Sequence, residues 1–444
     1  MIRPSDFLLY ARTSEGSIGE ALGNFTLSGS TVVGGLNNAV TMTATNMTGD
    51  LNVLIDNTSN GIKSVSSGTG DDIITIDGTN QSSAGVVVNS NAGSDTINLT
   101  SNSDGPLSKI SLNGGNEIDQ VNFESELDFS LSDLTLTNIE ILDFTGGTNS
   151  TKISSDLVST KSYILSKSGS NTLSIEVIPK TQTIDLSSLT FENSFVTGSD
   201  SIIIDGTNFA QALSVTGTIS NDEITGTHAA GDTINSGDGD DTLSGRDGND
   251  TLTGGNGEDH IIPGTGNDII NLTEEISNRD TISYTVDDGA SNVDTVSGFD
   301  VRIVDDIISL DVSELTTPIT LGNGTAASTT SIGNILIKDH SIDTDLNYSS
   351  NSTPTIFKLT ATDQSEFADA LGTSSITVAD GSSLNFLWYD ADTSETVYGY
   401  ASENTTNEAD NLITADDTFV EIVRISLTEN SYTHYLDTNN FVFL

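Results

Sequence analysis

The chain has 444 residues, 64 of them acidic and 14 basic, for a formal net charge of −50 at pH 7. So negative a surface argues against nucleic acid and anionic membranes as partners and favours divalent cations. The absence of cysteine excludes disulfides and thiol chemistry, and no stretch approaches the about eighteen apolar residues of a membrane span.

Threonine, serine, asparagine and glycine are abundant and lysine is rare, the composition of all-β structure with many turns. The length suggests about two or three domains. Residues 1–22 form an N-terminal segment, with a short helix expected around Pro4 to Tyr10. Within it no apolar run is long enough for a secretory signal peptide.

From residue 23 to 226 the text turns to short alternating runs. Leu51, Val53 and Ile55 alternate. Three related stretches follow: SGTGDDIITI with Asp72, SNAGSDTINL with Asp95, and GGNEIDQVNF with Asp119, the aspartates 23 and 24 residues apart. Similar cores recur at Asp200 and Asp222. A glycine turn, an aspartate and alternating aliphatics at this period predict a right-handed parallel β-solenoid with one turn of this kind per coil. An ordinary β-sandwich, whose strands recur at similar spacing, is the alternative. Asp72, Asp95 and Asp119 either bind a cation singly or cap their turns through Asx hydrogen bonds. GGTNSTKISSD, residues 146–156, reads as a loop, with strands resuming at Tyr163 to Leu165 and Leu173 to Ile178.

Residues 227–271 divide into nines: THAAGDTIN, SGDGDDTLS, GRDGNDTLT, GGNGEDHII, PGTGNDIIN. Position six is always aspartate: Asp232, Asp241, Asp250, Asp259 and Asp268. Position eight is always aliphatic: Ile234, Leu243, Leu252, Ile261 and Ile270. Position four is Gly239, Gly248, Gly257 and Gly266 in the last four repeats, and glycine also stands at position two in Gly237, Gly255 and Gly264. Glycine admits positive φ and lets carbonyls point inward, so six residues make a turn and three make a strand with one inward side chain. Two repeats complete a coil. Asp232, Asp250 and Asp268 then stack on one side, Asp241 and Asp259 on the other. Stacked strands lie ~4.8 Å apart, and two carboxylates at ~5 Å repel by roughly 3 kcal/mol at an effective dielectric of 20. Calcium removes that repulsion, because it takes six to eight oxygens and accepts both carboxylates and turn carbonyls. A Gly/Asp-rich linker, the bland alternative, has no reason to keep a nine-residue register.

This period resembles the RTX (repeats-in-toxin) family of calcium-binding β-rolls. The resemblance implies calcium as the ligand. It assigns the metal to Asp232, Asp241, Asp250, Asp259 and Asp268 with carbonyls of Gly237, Gly239, Gly248, Gly255, Gly257, Gly264 and Gly266, and extends as candidates to Asp72, Asp95 and Asp119. It also implies export by a type I secretion machinery that reads a C-terminal signal, and hence an extracellular or cell-surface location.

Residues 272–315 read as amphipathic strands that close the roll by covering its open edge. Residues 316–444 read as a C-terminal β-rich domain. DQSEFADALG, starting at Asp363, is its one helix candidate, with Asp363 as N-cap and Gly372 as C-cap. SLNFLWYDADTSETVYGYA reads as a hairpin around Trp388, and the terminal DTNNFVFL is similar to a type I secretion signal.

No catalytic motif stands out. HExxH and GxSxG are absent, which argues against a zinc protease or a lipase of the usual types. His228, His260, His340 and His434 lack neighbours at ligand spacing. Residues 1–226 carry only Lys63, Lys109, Lys152, Lys161, Lys167, Lys180, Arg3 and Arg12 as basic groups, and no tryptophan, poor material for a groove that grips an anionic sugar. The expectation is a non-enzymatic, secreted, calcium-binding structural protein. It looks like the RTX-type S-layer proteins of Gram-negative bacteria, with copies of itself as principal partner, outer-membrane lipopolysaccharide as a further candidate partner, and no nucleic acid. A calcium-dependent adhesin and a β-helix polysaccharide-active enzyme are the alternatives.

Overall fold

The structure is a computed structural model. It describes most of residues 41–311 and, outside that span, 8–10, 25–26, 31–34, 320–321, 325–326, 336–340, 346–347, 355–359, 376–377, 383–402, 412–413, 418–427 and 441–443. The fold class is all-β, a parallel β-solenoid with a β-roll and a C-terminal β-rich part. The chain divides into two compact units, residues 1–205 and 206–444.

In the first unit nine strands stack in parallel, from Leu8–Tyr10 and Thr31–Gly34 through Leu51–Asp56, Ile73–Asp77, Thr96–Thr100, Gln120–Glu124, Ile141–Thr145 and Ile164–Ser168 to Thr190–Phe191. A second parallel sheet of six strands runs from Phe25–Thr26 to Leu134–Thr137. From Leu8–Tyr10 to Gln120–Glu124 the chain alternates between the two sheets, which is the solenoid winding; beyond that, Asp128–Phe129, Ser150–Ser154, Ser174–Ile178 and Ser201–Asp205 stack in a third parallel sheet. Register is set by period-two burial. Val53, Ile74, Ile97, Val121, Leu142 and Leu165 occupy one column, each opposite the next, and all are buried. A second column holds Ile76, Leu99, Phe123 and Phe144, with the two rings stacked at 5.1 Å, and it ends at Lys167. Stacking like on like lets each coil bury its apolar face on its neighbours, which no single coil could do alone.

The structure departs from two sequence expectations. Leu8–Tyr10 is a strand, not helix, because it pairs with Thr31–Gly34; the rest of that helix lies outside the described residues. Ser150–Ser154, expected as loop, is a strand paired with Ser174–Ile178, followed by the four-residue helix Ser155–Val158. The helix candidate from Asp363 to Gly372 lies outside the described residues.

In the second unit the nonapeptides form two facing stacks. One contains Asp222–Thr225, Thr242–Asp247, His260–Thr265, Thr281–Thr285 and Ile307–Asp311, and ends on Phe441–Phe443. The other contains Ser214–Thr216, Thr233–Asp238, Thr251–Asn256, Ile269–Asn271 and Asp294–Ser297, and continues through Thr418–Ile425 into the antiparallel strands Glu395–Ser402 and Ser383–Asp390. The position-eight residues Ile234, Leu243, Leu252, Ile261 and Ile270 are all buried. Residues 272–311 thus continue the coils; Phe441–Phe443 is the last strand of one stack, while in the other Thr418–Ile425 joins the coils to further strands of the same sheet. Ser383–Asp390 and Glu395–Ser402 form the expected antiparallel hairpin, with Trp388 and Tyr398 buried.

Candidate metal centre

Each position-six aspartate is placed by the strand that follows it, whose position-eight side chain is locked in the core. Its carboxylate turns inward and is used in two different ways. One oxygen holds the coils together. The backbone N–H of Asp232 donates to Oδ1 of Asp250 at 2.6 Å, and that of Asp250 to Oδ1 of Asp268 at 2.7 Å. On the other side Asp222 donates to Asp241 at 2.8 Å, and Asp241 to Asp259 at 3.0 Å. Both ladders run past the repeats: Asp259 reaches Asp280, Asp280 reaches Asp306, and Asp268 reaches Asp294. Asp280, Asp294 and Asp306 were not among the residues singled out from sequence.

The second oxygen is different. Oδ2 of Asp241, Asp250, Asp259 and Asp268 is buried without a hydrogen-bond partner. At the first repeat Asp232 is satisfied, because Thr227 N–H donates to its Oδ2 at 2.7 Å. Burial pushes Asp241 and Asp250 up to about 7 and Asp259 up to about 8, against the pull of the N–H each accepts. Asp268 is raised for the same reason. A buried carboxylate oxygen that makes no hydrogen bond is costly, and four in consecutive repeats share one chemical defect that a cation repairs.

The turns fit a cation as well. Gly237, Gly239, Gly248, Gly255, Gly257, Gly264 and Gly266 all have φ between 99° and 141°. A Cβ on Gly255 would collide with the Gly237 carbonyl oxygen, and one on Gly266 with that of Gly248, so carbonyls of one coil face the glycines of the next. At position one, a Cβ on Gly245 would strike both Asp250 Oδ2 and the Pro263 carbonyl oxygen; a Cβ on Gly254 would strike Asp259 Oδ2. At Gly245 a carboxylate and a carbonyl oxygen therefore border one small space that glycine keeps clear. Among the described residues no three His, Asp or Glu side chains gather as a purely side-chain metal site requires. The donor set is one carboxylate per turn plus main-chain oxygens, all hard, which suits calcium at 2.3–2.6 Å rather than zinc.

In the first unit Asp72, Asp95 and Asp119 are brought together by the same kind of ladder. Leu51 N–H donates to Asp72 Oδ1 at 2.8 Å, Asp72 to Asp95 at 2.7 Å, and Asp95 to Asp119 at 2.9 Å. Glu140 closes the series by accepting from Asp119 N–H at 2.9 Å.

No curated protein matches the chain. A family model does match residues 231–270, that of the RTX calcium-binding nonapeptide repeat in four copies, which covers the four aspartates with a free Oδ2. The segment 231–270 is made of RTX calcium-binding nonapeptide repeats.

Proposed function

We propose that the protein is a secreted, calcium-binding structural protein that assembles with copies of itself into a cell-surface lattice of the S-layer type. The observation that carries the calcium reading is the run of four buried, unpartnered Oδ2 atoms at Asp241, Asp250, Asp259 and Asp268. These four, with carbonyls of the flanking glycine turns, are the residues that would hold the ions. Calcium, when bound, supplies the positive charge that lets these carboxylates stay ionised in a dry stack. Extracellular calcium modules bind at ~0.1–1 mM, and one site at a hundred times its dissociation constant adds ~2.7 kcal/mol. A few such sites rival the roughly 5–15 kcal/mol of a whole domain. Folding of the roll is therefore tied to the calcium-rich exterior, which suits export as an unfolded chain through a type I machinery.

Assembly follows from charge. At −50 two copies repel strongly, and sodium chloride screens that repulsion beyond ~8 Å without making contacts. A divalent ion shared by carboxylates of two chains does both. Light scattering and negative-stain microscopy of the full chain test this, with circular dichroism run in parallel. Millimolar calcium should give ordered assemblies where sodium chloride of equal ionic strength gives none. A chain that folds on adding calcium yet stays monomeric overturns the lattice and leaves a calcium-folded adhesin. A spectrum unchanged by EDTA overturns the calcium dependence itself.

A further inference from the structure

The geometry points to two further cation sites in the first unit, in the turns 90–95 and 114–119, built like those of the roll and taking a calcium-like hard divalent ion. Among the described residues six buried carboxylate oxygens lack any hydrogen-bond partner. Four belong to the RTX repeats. The other two are Oδ2 of Asp95 and Asp119, whose residues are each only 1 % exposed.

The backbone around them follows the roll position by position. Counting each aspartate as position six, the roll has positive φ at positions two and four: Gly237 and Gly239, Arg246 and Gly248, Gly255 and Gly257, Gly264 and Gly266. The turn before Asp95 has positive φ at Asn91 (73°) and Gly93 (118°), and the turn before Asp119 at Gly115 (120°) and Glu117 (75°). Glycine is replaced at one of the two places in each turn, so the text no longer reads as a nonapeptide while the conformation is kept. Position one also corresponds. A Cβ on Gly114 would strike both Asp119 Oδ2 and the Asn138 carbonyl oxygen, as one on Gly245 strikes Asp250 Oδ2 and the Pro263 oxygen. Ser90 donates to the Gly114 carbonyl at 2.8 Å, as Ser236 donates to that of Gly254. Burial raises the pKa of Asp95 and the neighbouring Ser90 pulls it down, but the one proton of Ser90 goes to the Gly114 carbonyl at 2.8 Å, and Asp95 Oδ2 keeps no hydrogen-bond partner.

Two neighbouring carboxylates show that the unit satisfies this oxygen wherever the turn is not left open. Asp72 Oδ2 accepts from Gly68 N–H at 3.3 Å, which closes its own turn and removes it from the proposal. At Asp200 a built-in cation does the work: Lys167 Nζ lies 2.9 and 2.6 Å from its two oxygens, with both groups buried. Asp95 and Asp119 have neither device. A mobile cation at each, held by the carboxylate and by main-chain oxygens of the adjoining turns, completes the set.

The inference shares its oxygen chemistry with the reading of the roll, but hydrogen exchange followed by mass spectrometry reads the two regions separately in the full chain. Calcium chloride is the probe, against sodium chloride of equal ionic strength. Amides of 90–96 and 114–120 should exchange at least about tenfold more slowly in calcium. The paired substitution Asp95→Asn and Asp119→Asn keeps the side-chain oxygen that bonds the preceding coil. It should abolish that local slowing and leave the slowing over 236–271 intact. If the variant does not fold, the wild-type comparison decides alone. Unchanged exchange in these two turns while the roll is slowed overturns the proposal. So does an even slowing across the whole first unit, the mark of charge screening. A roll that fails to respond while the two turns do overturns the roll's reading and not this one.

Discussion

The backbone N–H of Asp241 donates to Oδ1 of Asp259 at 3.0 Å, so two carboxylates of successive coils are stacked by main chain, and their charges are left to be settled by protons or by metal. Burial holds both acids up, Asp241 to about 7 and Asp259 to about 8, and Asp280 beyond them to about 8. In an unfolded chain they would titrate near ~3.9. The metal-free fold thus binds protons that the unfolded chain has released. Its share of stability from these groups is full below about pH 4 and is lost as pH rises through about 7–8. In EDTA the folded fraction of the roll, and its melting temperature wherever a transition is seen, should be higher near pH 5 than near pH 8.5. Calcium demands ionised ligands, so its stabilising shift should run the other way, small near pH 5 and growing above about pH 7. Differential scanning calorimetry at both pH values, with EDTA and with calcium, checks the two slopes; a metal-free melting point that climbs with pH contradicts the burial argument.

Gly255 and Arg246 occupy the same position of adjoining repeats and should differ sharply in their tolerance of substitution. Gly255 has φ of 118°, and any Cβ there meets the Gly237 carbonyl oxygen. Gly255→Ala should cost more than the roughly 1–3 kcal/mol of backbone strain alone, because the coil spacing must open as well. Arg246 already sits at φ of 72°. Arg246→Gly relieves about 1–2 kcal/mol of left-handed strain and gives back about 0.5–1 kcal/mol in unfolded-chain entropy. It should stay within about 1 kcal/mol of the wild type. Urea titration of the two variants in saturating calcium ranks them.

What could be read in the text depended on whether a local pattern carried the structure. The nonapeptides were legible because turn and strand both fit in nine residues, so Asp241, Asp250, Ile261 and the glycines fell into register by counting. Beyond them the ladder lengthens from steps of 18 residues to 21 and 26, and Asp280, Asp294 and Asp306 lost their period though not their place. In the first unit Asn91 and Glu117 adopt a conformation that text alone assigns to glycine. The misreadings at Leu8–Tyr10 and Ser150–Ser154 have one cause. Both are strands because a partner strand tens of residues away pairs with them, and neither local composition nor helix signals report that.

Phe441–Phe443 pairs in parallel with Ile307–Asp311, placing Phe441 opposite Ile308 and Phe443 opposite Leu310. A terminal stretch that reads as an export signal is thus also the last strand of a stack. Removing residues 440–444 should bare the edge of Ile307–Asp311, with its unpaired N–H and C=O groups. Purified truncated chain refolded in calcium, with no exporter present, should melt lower and aggregate faster than the full chain. An unchanged melting curve and unchanged light scattering would show that the strand contributes nothing to the fold.

Lys167 stands at the end of a column of Ile76, Leu99, Phe123 and Phe144, where another apolar side chain would be expected, and reaches Asp200 Oδ2 at 2.6 Å. The two side chains are 8 % and 0 % exposed, so neither charge has water to fall back on. Removing one partner of a buried pair leaves the other uncompensated and costs about 3–5 kcal/mol, whereas replacing both with neutral groups of similar shape is often close to neutral. Lys167→Met should therefore destabilise the chain by that amount, most of it appearing as a lower urea midpoint. Asp200→Asn alone takes the neutralising carboxylate from the buried ammonium and should cost a similar amount. In the double variant the methionine side chain continues the apolar column. The asparagine keeps an oxygen for the Val196 N–H, which in the wild type donates to Asp200 Oδ2 at 2.7 Å. Combining Lys167→Met with Asp200→Asn should therefore recover most of the loss. Equilibrium unfolding of the wild type, both single variants and the double variant closes the cycle. Additive losses in the double variant would mean that the lysine and the aspartate act independently, and that Lys167 does not serve as the fixed cation of this coil.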